Sequence, residues 1–95
     1  MTGYLVAFMD VTDPDAYEEY KKRAPAAVQK HGGRFIARGG RSLTLEGDPV
    51  PGRMVIIEFP SVERAVDFYN SPEYREAMAF RQGAAKARML VVEGV

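Results

Sequence analysis

Two charged residues, Arg38 and Glu58, occur within or beside strand-like segments whose other side chains are mostly apolar. If these segments pair as neighbouring strands, the two side chains can meet as an ion pair, in a register that Gly39 and Gly40 can shift. The carboxylate could then act as a general base, and the guanidinium could hold a carboxylate, an enolate or a carbonyl oxygen. We therefore take Glu58 and Arg38 as the candidate catalytic residues. A purely structural ion pair is the alternative, because charges in apolar strands persist mainly when they are paired.

His31 is the single histidine of the chain and directly precedes Gly32 and Gly33. A histidine at a helix C-terminus interacts favourably with the helix dipole when it is protonated, which is a structural explanation for its position. The alternative is that His31 binds a ligand. One histidine and no cysteine cannot build a histidine-rich or thiolate metal site within one chain, so we predict no metal.

Aromatic side chains on the predicted helices form a second candidate surface, for a flat organic ligand. They are Tyr17, Tyr20, Phe68, Tyr69, Tyr74 and Phe80. Packing explains most of them, but a buried phenolic hydroxyl needs a hydrogen-bond partner, so we expect Tyr20 or Tyr69 to point into a polar pocket. Arg81 could reach the same cleft, although an exposed helical arginine is the alternative. The candidate ligand-binding residues are therefore Tyr20, His31, Tyr69 and Arg81.

Three further patterns have structural explanations. Asp10, Asp13 and Asp15 lack the glycine and the closing glutamate of a calcium loop, and Asp13 precedes a proline as helix N-caps often do. Ser61 and Ser71 also resemble N-caps, and neither lies in a nucleophile motif. The paired glycines lack the lysine and hydroxyl residue of a phosphate-binding loop, which disfavours nucleotide binding.

The candidate residues lie on a predicted succession of strand, helix, two-stranded hairpin, broken helix and strand. We predict strands at 4–11, 34–45, 53–59 and 88–93, and helical regions at 14–31 and 62–82. Pro25 should kink or divide the first helix because it leaves the Lys21 carbonyl without a donor. Gly39 and Gly40 should bend the second strand. This order predicts one α+β domain over residues 1–95, with a ferredoxin-like βαββαβ fold and helices on one face of an antiparallel sheet.

Strands one and three are apolar on both of their alternating sets of side chains. The sets are Tyr4, Val6 and Phe8 against Leu5, Ala7 and Met9, and Met54 and Ile56 against Val55, Ile57 and Phe59. The helices cover one face only, so the other face is expected to pack on an identical sheet across a two-fold axis. We therefore predict a homodimer.

A series of short motifs runs in order along nearly the whole chain. They are Tyr20 with Pro25, His31 to Arg34, Ala37 to Gly40, Leu45 to Gly47, Val55 to Ser61, Ser71 to Tyr74, and Arg81. Together they resemble the domain-of-unknown-function family catalogued as thirteen-thirty, which looks like a branch of the dimeric α/β-barrel superfamily. Other branches include antibiotic-biosynthesis monooxygenases, muconolactone isomerases and haem-binding chlorite dismutases. The resemblance implies the fold and the dimer, whereas the chemistry of these relatives is an analogy. Haem, with His31 as axial candidate, is implied by the superfamily alone.

The composition excludes several classes of function. Thirteen basic and thirteen acidic residues give a net charge of zero, which provides no broad electropositive surface for nucleic acid. The absence of cysteine is compatible with a reducing cytoplasm, and no long apolar segment predicts a membrane span. We expect a cytoplasmic homodimer that binds a small organic molecule between helices and sheet. It would act without metal or cofactor as an oxygenase or isomerase or, alternatively, serve as a non-catalytic binding or interaction module.

Overall fold

The chain forms a four-stranded antiparallel sheet and three helices in a computed structural model that describes residues 1–95. The elements are β1 (Gly3–Val11), α1 (Pro14–Lys30), β2 (Arg34–Arg38), β3 (Arg53–Phe59), α2 (Val62–Asn70), α3 (Pro72–Arg81) and β4 (Ala85–Glu93). The strand order is β2-β3-β1-β4, and each pairing is antiparallel. The predicted α+β architecture is confirmed, and the second helical region is divided in two at Ser71.

Each helix begins at a residue whose side chain accepts a hydrogen bond from a backbone N–H of the first turn. Asp13 accepts from the Ala16 amide, and Ser61 and Ser71 accept from amides three residues further on. The Ser71 hydroxyl also donates to the carbonyl of Phe68 at 2.7 Å. These bonds occupy the hydroxyl groups in capping, which confirms the structural explanation of both serines.

The core lies between the helices and one face of the sheet. On that face β1 contributes Leu5, Ala7 and Met9, and β3 contributes every second residue from Val55 to Phe59. The helices bury Tyr17, Tyr20, Ala24, Phe68 and Tyr74 against them. Because strand side chains alternate between faces, the residue that precedes this set by two positions, Arg53, also points toward the helices.

The strand β2 is shorter than predicted, and its bulge lies elsewhere. It ends at Arg38, while residues 39–52 form an exposed loop. The register shift falls between Phe35 and Ala37, which is two residues before the first of the paired glycines. Because a one-residue shift exchanges the two faces, Arg38 lies opposite Val55 and on the helix side of the sheet. At the other end of the sheet, β4 begins at Ala85, earlier than the predicted position 88.

Pro25 lies inside α1, which continues without a break from Pro14 to Lys30. Of the two predicted outcomes, a kinked helix or a divided helix, division is therefore wrong. The ring nitrogen of Pro25 cannot donate to the Lys21 carbonyl. Instead, Arg38 Nη2 donates to that carbonyl at 3.0 Å. A side chain of β2 thus replaces the helical hydrogen bond that the proline removes.

Pro25→Ala is expected to raise the free energy of unfolding by about 2 kcal/mol, because it restores an interior helical donor. In that background, Arg38→Met should cost less stability than it does in the wild type, since the Lys21 carbonyl keeps a partner. Urea unfolding of the two single variants and the double variant checks both statements. A loss of stability in Pro25→Ala would contradict them.

The second face of the sheet carries an apolar strip that nothing in the single chain covers. Val6 lies at its centre, opposite Ile56 on one neighbour and Leu90 on the other. Tyr4, Phe8 and Met54 are half-buried beside it, and Leu90 remains 51% exposed. We call this surface the second face. None of the helices on the opposite face is long and apolar enough to span a membrane.

Candidate functional site

A small cavity of about 30 Å³ lies between α1 and the helix side of the sheet, and we call it the inner cavity. Its walls are mostly apolar, and its polar lining residues are Tyr17, Tyr20, Lys21, Arg38, Arg53 and Tyr74. Strands β2 and β3 supply the two arginines, while α1 and α3 supply the tyrosines. Convergent polar groups in an otherwise apolar cavity are typical of small-molecule sites.

Arg53 is the least satisfied of these polar residues. Its Nε is buried and has no hydrogen-bond partner, and its guanidinium carbon lies 5.7 Å from the centre of the Tyr17 ring. Gly39, at φ +68°, leaves room for it, because a Cβ there would lie 2.6 Å from Arg53 Nη2. The glycine pair predicted to bend β2 therefore includes the residue against which this arginine packs.

Arg38 lies at the mouth of the inner cavity and is exposed. Besides its bond to the Lys21 carbonyl, its guanidinium stacks on the ring of Phe35 at 4.5 Å from the ring centre. Stacking on an aromatic face leaves the edge donors of a guanidinium free for an acceptor. Arg38 is thus held at the mouth while some of its donors face open space.

The tyrosines close the inner end of the cavity. The hydroxyls of Tyr20 and Tyr74 lie 2.9 Å apart and share a hydrogen bond, so the buried hydroxyl of Tyr20 has the polar partner that we expected. Burial raises the pKa of Tyr20, and the neighbouring Tyr74 hydroxyl adds to the shift. Burial also raises the pKa of Tyr17, against the opposing positive charge of Arg53. Both phenols are therefore neutral hydrogen-bond donors at neutral pH.

The raised pKa of Tyr20 gives a prediction for alkaline solution. The pKa of Tyr20 in the folded protein lies above the value of about 10 in the unfolded chain. The contribution of the neutral Tyr20 hydroxyl to stability is therefore fully present below pH 10 and is lost as the pH rises above it. We expect the free energy of unfolding to fall above pH 10, with Tyr20 contributing a slope of up to about 1.4 kcal/mol per pH unit. In Tyr20→Phe that part of the slope should disappear. Urea unfolding at several alkaline pH values measures it, and equal slopes in the two proteins would show that Tyr20 does not contribute.

The charge balance around the inner cavity is one-sided. Arg38 and Arg53 take part in none of the ion pairs of the structure, and no carboxylate lines the cavity. Lys21 is paired with Glu18 at 3.2 Å on the outer side of α1. Guanidinium groups without a carboxylate partner in a partly desolvated pocket favour the binding of an anion.

Glu58 does not meet Arg38, and the predicted ion pair between them is wrong. Glu58 lies on the second face, where its Oε1 accepts from Arg34 Nε at 3.3 Å. The bulge in β2 turns Arg38 to the opposite face of the sheet. Within one chain, Glu58 therefore cannot act as a base in the inner cavity. The charged residue that lines this cavity together with Arg38 on the neighbouring strand is Arg53.

His31 lies at the C-terminal end of α1, where its structural explanation placed it. Its Nε2 is 3.3 Å from Glu73 Oε1, and Lys30 contacts the other oxygen of the same carboxylate at 3.2 Å. Hydrogen bonds from Lys30 and then His31 lower the pKa of Glu73. This cluster joins α1 to α3 and does not line the inner cavity. No group of three or more His, Asp or Glu side chains is placed to hold a metal ion.

Tyr69 and Arg81 line a different cavity from Tyr20, although the Arg81 guanidinium carbon lies only 5.7 Å from the centre of the Tyr20 ring. They line an open groove of about 470 Å³ between α2, α3 and strand β4, which we call the edge groove. Leu5 and Met89 line both the edge groove and the inner cavity, and so form the wall between them. The expected common cleft for Tyr20, Tyr69 and Arg81 is therefore two neighbouring cavities.

Comparison with known proteins places this architecture in a family. The model described as "Domain of unknown function (DUF1330)" matches residues 2–95. The chain belongs to the DUF1330 family. A protein of unknown function from Rhodopseudomonas palustris has 26% identity to this DUF1330 chain and a TM-score of 0.72, over 99% of this chain and 82% of that one. No curated protein matches the chain.

Two more distant structures share the fold of this DUF1330 chain. SnoaB, a cofactor-independent oxygenase from Streptomyces nogalater, is 13% identical with a TM-score of 0.71, over 99% of this chain and 93% of that one. A dimeric ferredoxin-like protein of unknown function from Jannaschia is 10% identical with a TM-score of 0.71, over 99% of this chain and all of that one (100%). At such identities the likeness shows the fold alone, and it confirms the predicted ferredoxin-like class.

Proposed function

We propose that this DUF1330 protein binds a small organic anion in the inner cavity. The proposal rests on the lining of the inner cavity, where Arg38 and Arg53 are both present and no carboxylate is. In addition, Arg53 Nε is buried and has no hydrogen-bond partner. A carboxylate, enolate or phenolate oxygen would supply the missing acceptor. At the inner end the hydroxyls of Tyr20 and Tyr74 share one hydrogen bond, which leaves one of the two phenolic protons for a further acceptor.

The size of the inner cavity limits what enters it. A volume of about 30 Å³ holds one or two water molecules, whereas sites that enclose a drug-sized ligand measure roughly 300–1,000 Å³. The ligand therefore places its anionic end inside and the rest of its body at the mouth. Arg38, which is exposed, moves outward with it and exchanges the Lys21 carbonyl for the ligand oxygen.

The same geometry supports one catalytic role. Two guanidinium groups can stabilise negative charge that develops on a substrate oxygen, as an oxygenase or isomerase without a cofactor requires. The shared fold with SnoaB makes this role worth testing, but neither a carboxylate nor a histidine lines the inner cavity to remove a proton. Binding without catalysis is therefore the primary proposal, and catalysis applies to substrates acidic enough to ionise unaided.

We also propose that the protein acts as a homodimer that joins two second faces. The support is the uncovered apolar strip around Val6, together with the dimeric state of ferredoxin-like neighbours. Specific interfaces bury about 800 Å² on each partner, which requires a surface of this kind. The helix side, with the inner cavity, stays outside such an interface.

Calorimetric titration with acetate, acetoacetate and benzoate tests the binding proposal. We expect at least one of these anions to bind, and Arg53→Met to weaken its binding about tenfold or more, since a hydrogen bond to a charged group contributes about 1.5–3 kcal/mol. Arg41→Met is the matched control, because Arg41 is exposed in the loop of residues 39–52 and lines neither the inner cavity nor the edge groove. Oxygen consumption in the same mixtures reports turnover. Failure of all three anions to bind, or equal affinity in the Arg53→Met variant, would reject the proposal.

A further inference from the structure

We infer that the edge groove is a second binding site, separate from the inner cavity, and that it takes a monocarboxylate with a compact aliphatic or aromatic body. Arg81 is the anchor for the carboxylate, and the apolar walls along α2 and β4 receive the body. This site goes beyond the proposed function, which uses neither Arg81 nor the groove.

Arg81 is the strongest evidence for this site. It is only 8% exposed, it forms no ion pair, and its Nε is buried without a hydrogen-bond partner. Its one side-chain hydrogen bond is a weak bond from Nη2 to the Tyr74 hydroxyl at 3.4 Å, and its guanidinium carbon lies 5.7 Å from the centre of the Tyr20 ring. Buried arginines are ordinarily paired, because an uncompensated charge in the interior is costly. The position of Arg81 in the last turn of α3 offsets part of this cost through the helix dipole, but supplies no acceptor.

The groove itself defines the rest of the ligand. Of its eight lining residues seven are hydrophobic, and Arg81 is the only charged one. Val66 forms its outer part and is 43% exposed, and Leu90 lies at the rim that the groove shares with the second face. A volume of about 470 Å³ lies within the range of small-molecule pockets. One cation beside an apolar trough matches a single carboxylate on an apolar body, and a dianion or a sugar would leave charges or hydroxyls unpaired.

The wall between the two sites makes them separable by experiment. Leu5 and Met89 stand between them, and the Tyr74 hydroxyl contacts both Met89 Sδ and Arg81 Nη2. Arg53 lines the inner cavity alone, and Arg81 lines the edge groove alone. Arg81 also contacts Tyr20 and Tyr74 of the inner cavity, so the separation is tested with Arg53, whose removal should leave the ligand of the edge groove unaffected.

Titration with octanoate, followed by calorimetry and by amide chemical shifts of β4, tests the inference. We expect octanoate to bind at the groove, 1-octanol to bind at least tenfold more weakly, and Arg81→Met to reduce octanoate affinity at least tenfold. Arg81→Lys should recover part of the loss. Arg53→Met should leave octanoate binding unchanged, whatever it does to acetate or acetoacetate.

Val66→Trp keeps the test decisive if Arg81→Met fails to fold. The exposed Val66 side chain can be enlarged without disturbing the core, and an indole there should fill the groove and abolish octanoate binding. Equal binding of octanoate and octanol would show a merely apolar surface and overturn the inference. The inference would also be overturned if octanoate did not bind the wild-type protein and Val66→Trp halved the molar mass relative to the wild type. A second copy of the chain would then occupy the groove.

Discussion

Replacing Val6 by Asp is expected to convert the protein from a dimer of twice the 10.6 kDa chain mass into a monomer. Val6 is central on the second face, between Ile56 and Leu90. A two-fold interface contains each substituted position twice, so two carboxylates would lose their water with no cation opposite. Ile56→Asp should have the same effect. Light scattering coupled to gel filtration at micromolar concentration measures the mass.

The control for this experiment is Lys22→Asp, which places the same acidic residue on the exposed side of α1. It should leave the mass at the dimer value. A wild-type protein that is already monomeric at micromolar concentration would contradict the assignment of the second face. So would a Val6→Asp protein that remains folded and dimeric.

Arg53→Met is expected to change stability and binding in opposite directions. Removing the guanidinium removes a buried donor that has no acceptor in the free protein, and methionine fills the space with apolar atoms. An unsatisfied buried polar group costs about 1–3 kcal/mol, so the free energy of unfolding should rise by a similar amount. The same change should weaken anion binding about tenfold or more, because the ligand loses its buried partner.

Urea unfolding without ligand measures the first half of this prediction, and Arg41→Met again serves as control. Arg41 is exposed and takes part in no ion pair, so its replacement should change the free energy of unfolding by no more than about 0.5 kcal/mol. A large destabilisation in Arg53→Met would show that Arg53 supports the fold, and the idea of a donor held ready for a ligand would be wrong.

Local signals in the sequence were sufficient for most of the fold. Asp13, Ser61 and Ser71 each begin a helix as their side chains predict, because capping depends on residues close in sequence. The third strand has its predicted bounds, since its apolar run is flanked by turn residues. The two-sided apolar pattern of β1 also survives in the structure as one buried face and one uncovered face.

The candidate site was less predictable because it depends on which face each side chain occupies. The bulge between Phe35 and Ala37 carries no glycine, so nothing in the sequence marked it, and it moved Arg38 away from Glu58. Arg53, by contrast, could have been found. It stands two positions before Val55 in an alternating strand, and that spacing alone places it on the buried face.

The most direct test of the proposed function is the NMR signal of the Arg53 Nε–H group, the buried donor that has no acceptor in the free protein. On titration with acetoacetate, this proton should shift downfield and exchange more slowly with water as the anion accepts its hydrogen bond, while the Arg34 Nε–H signal stays in place. If acetoacetate binds and the Arg53 signal does not move, the anion is held elsewhere and the inner cavity is not its site.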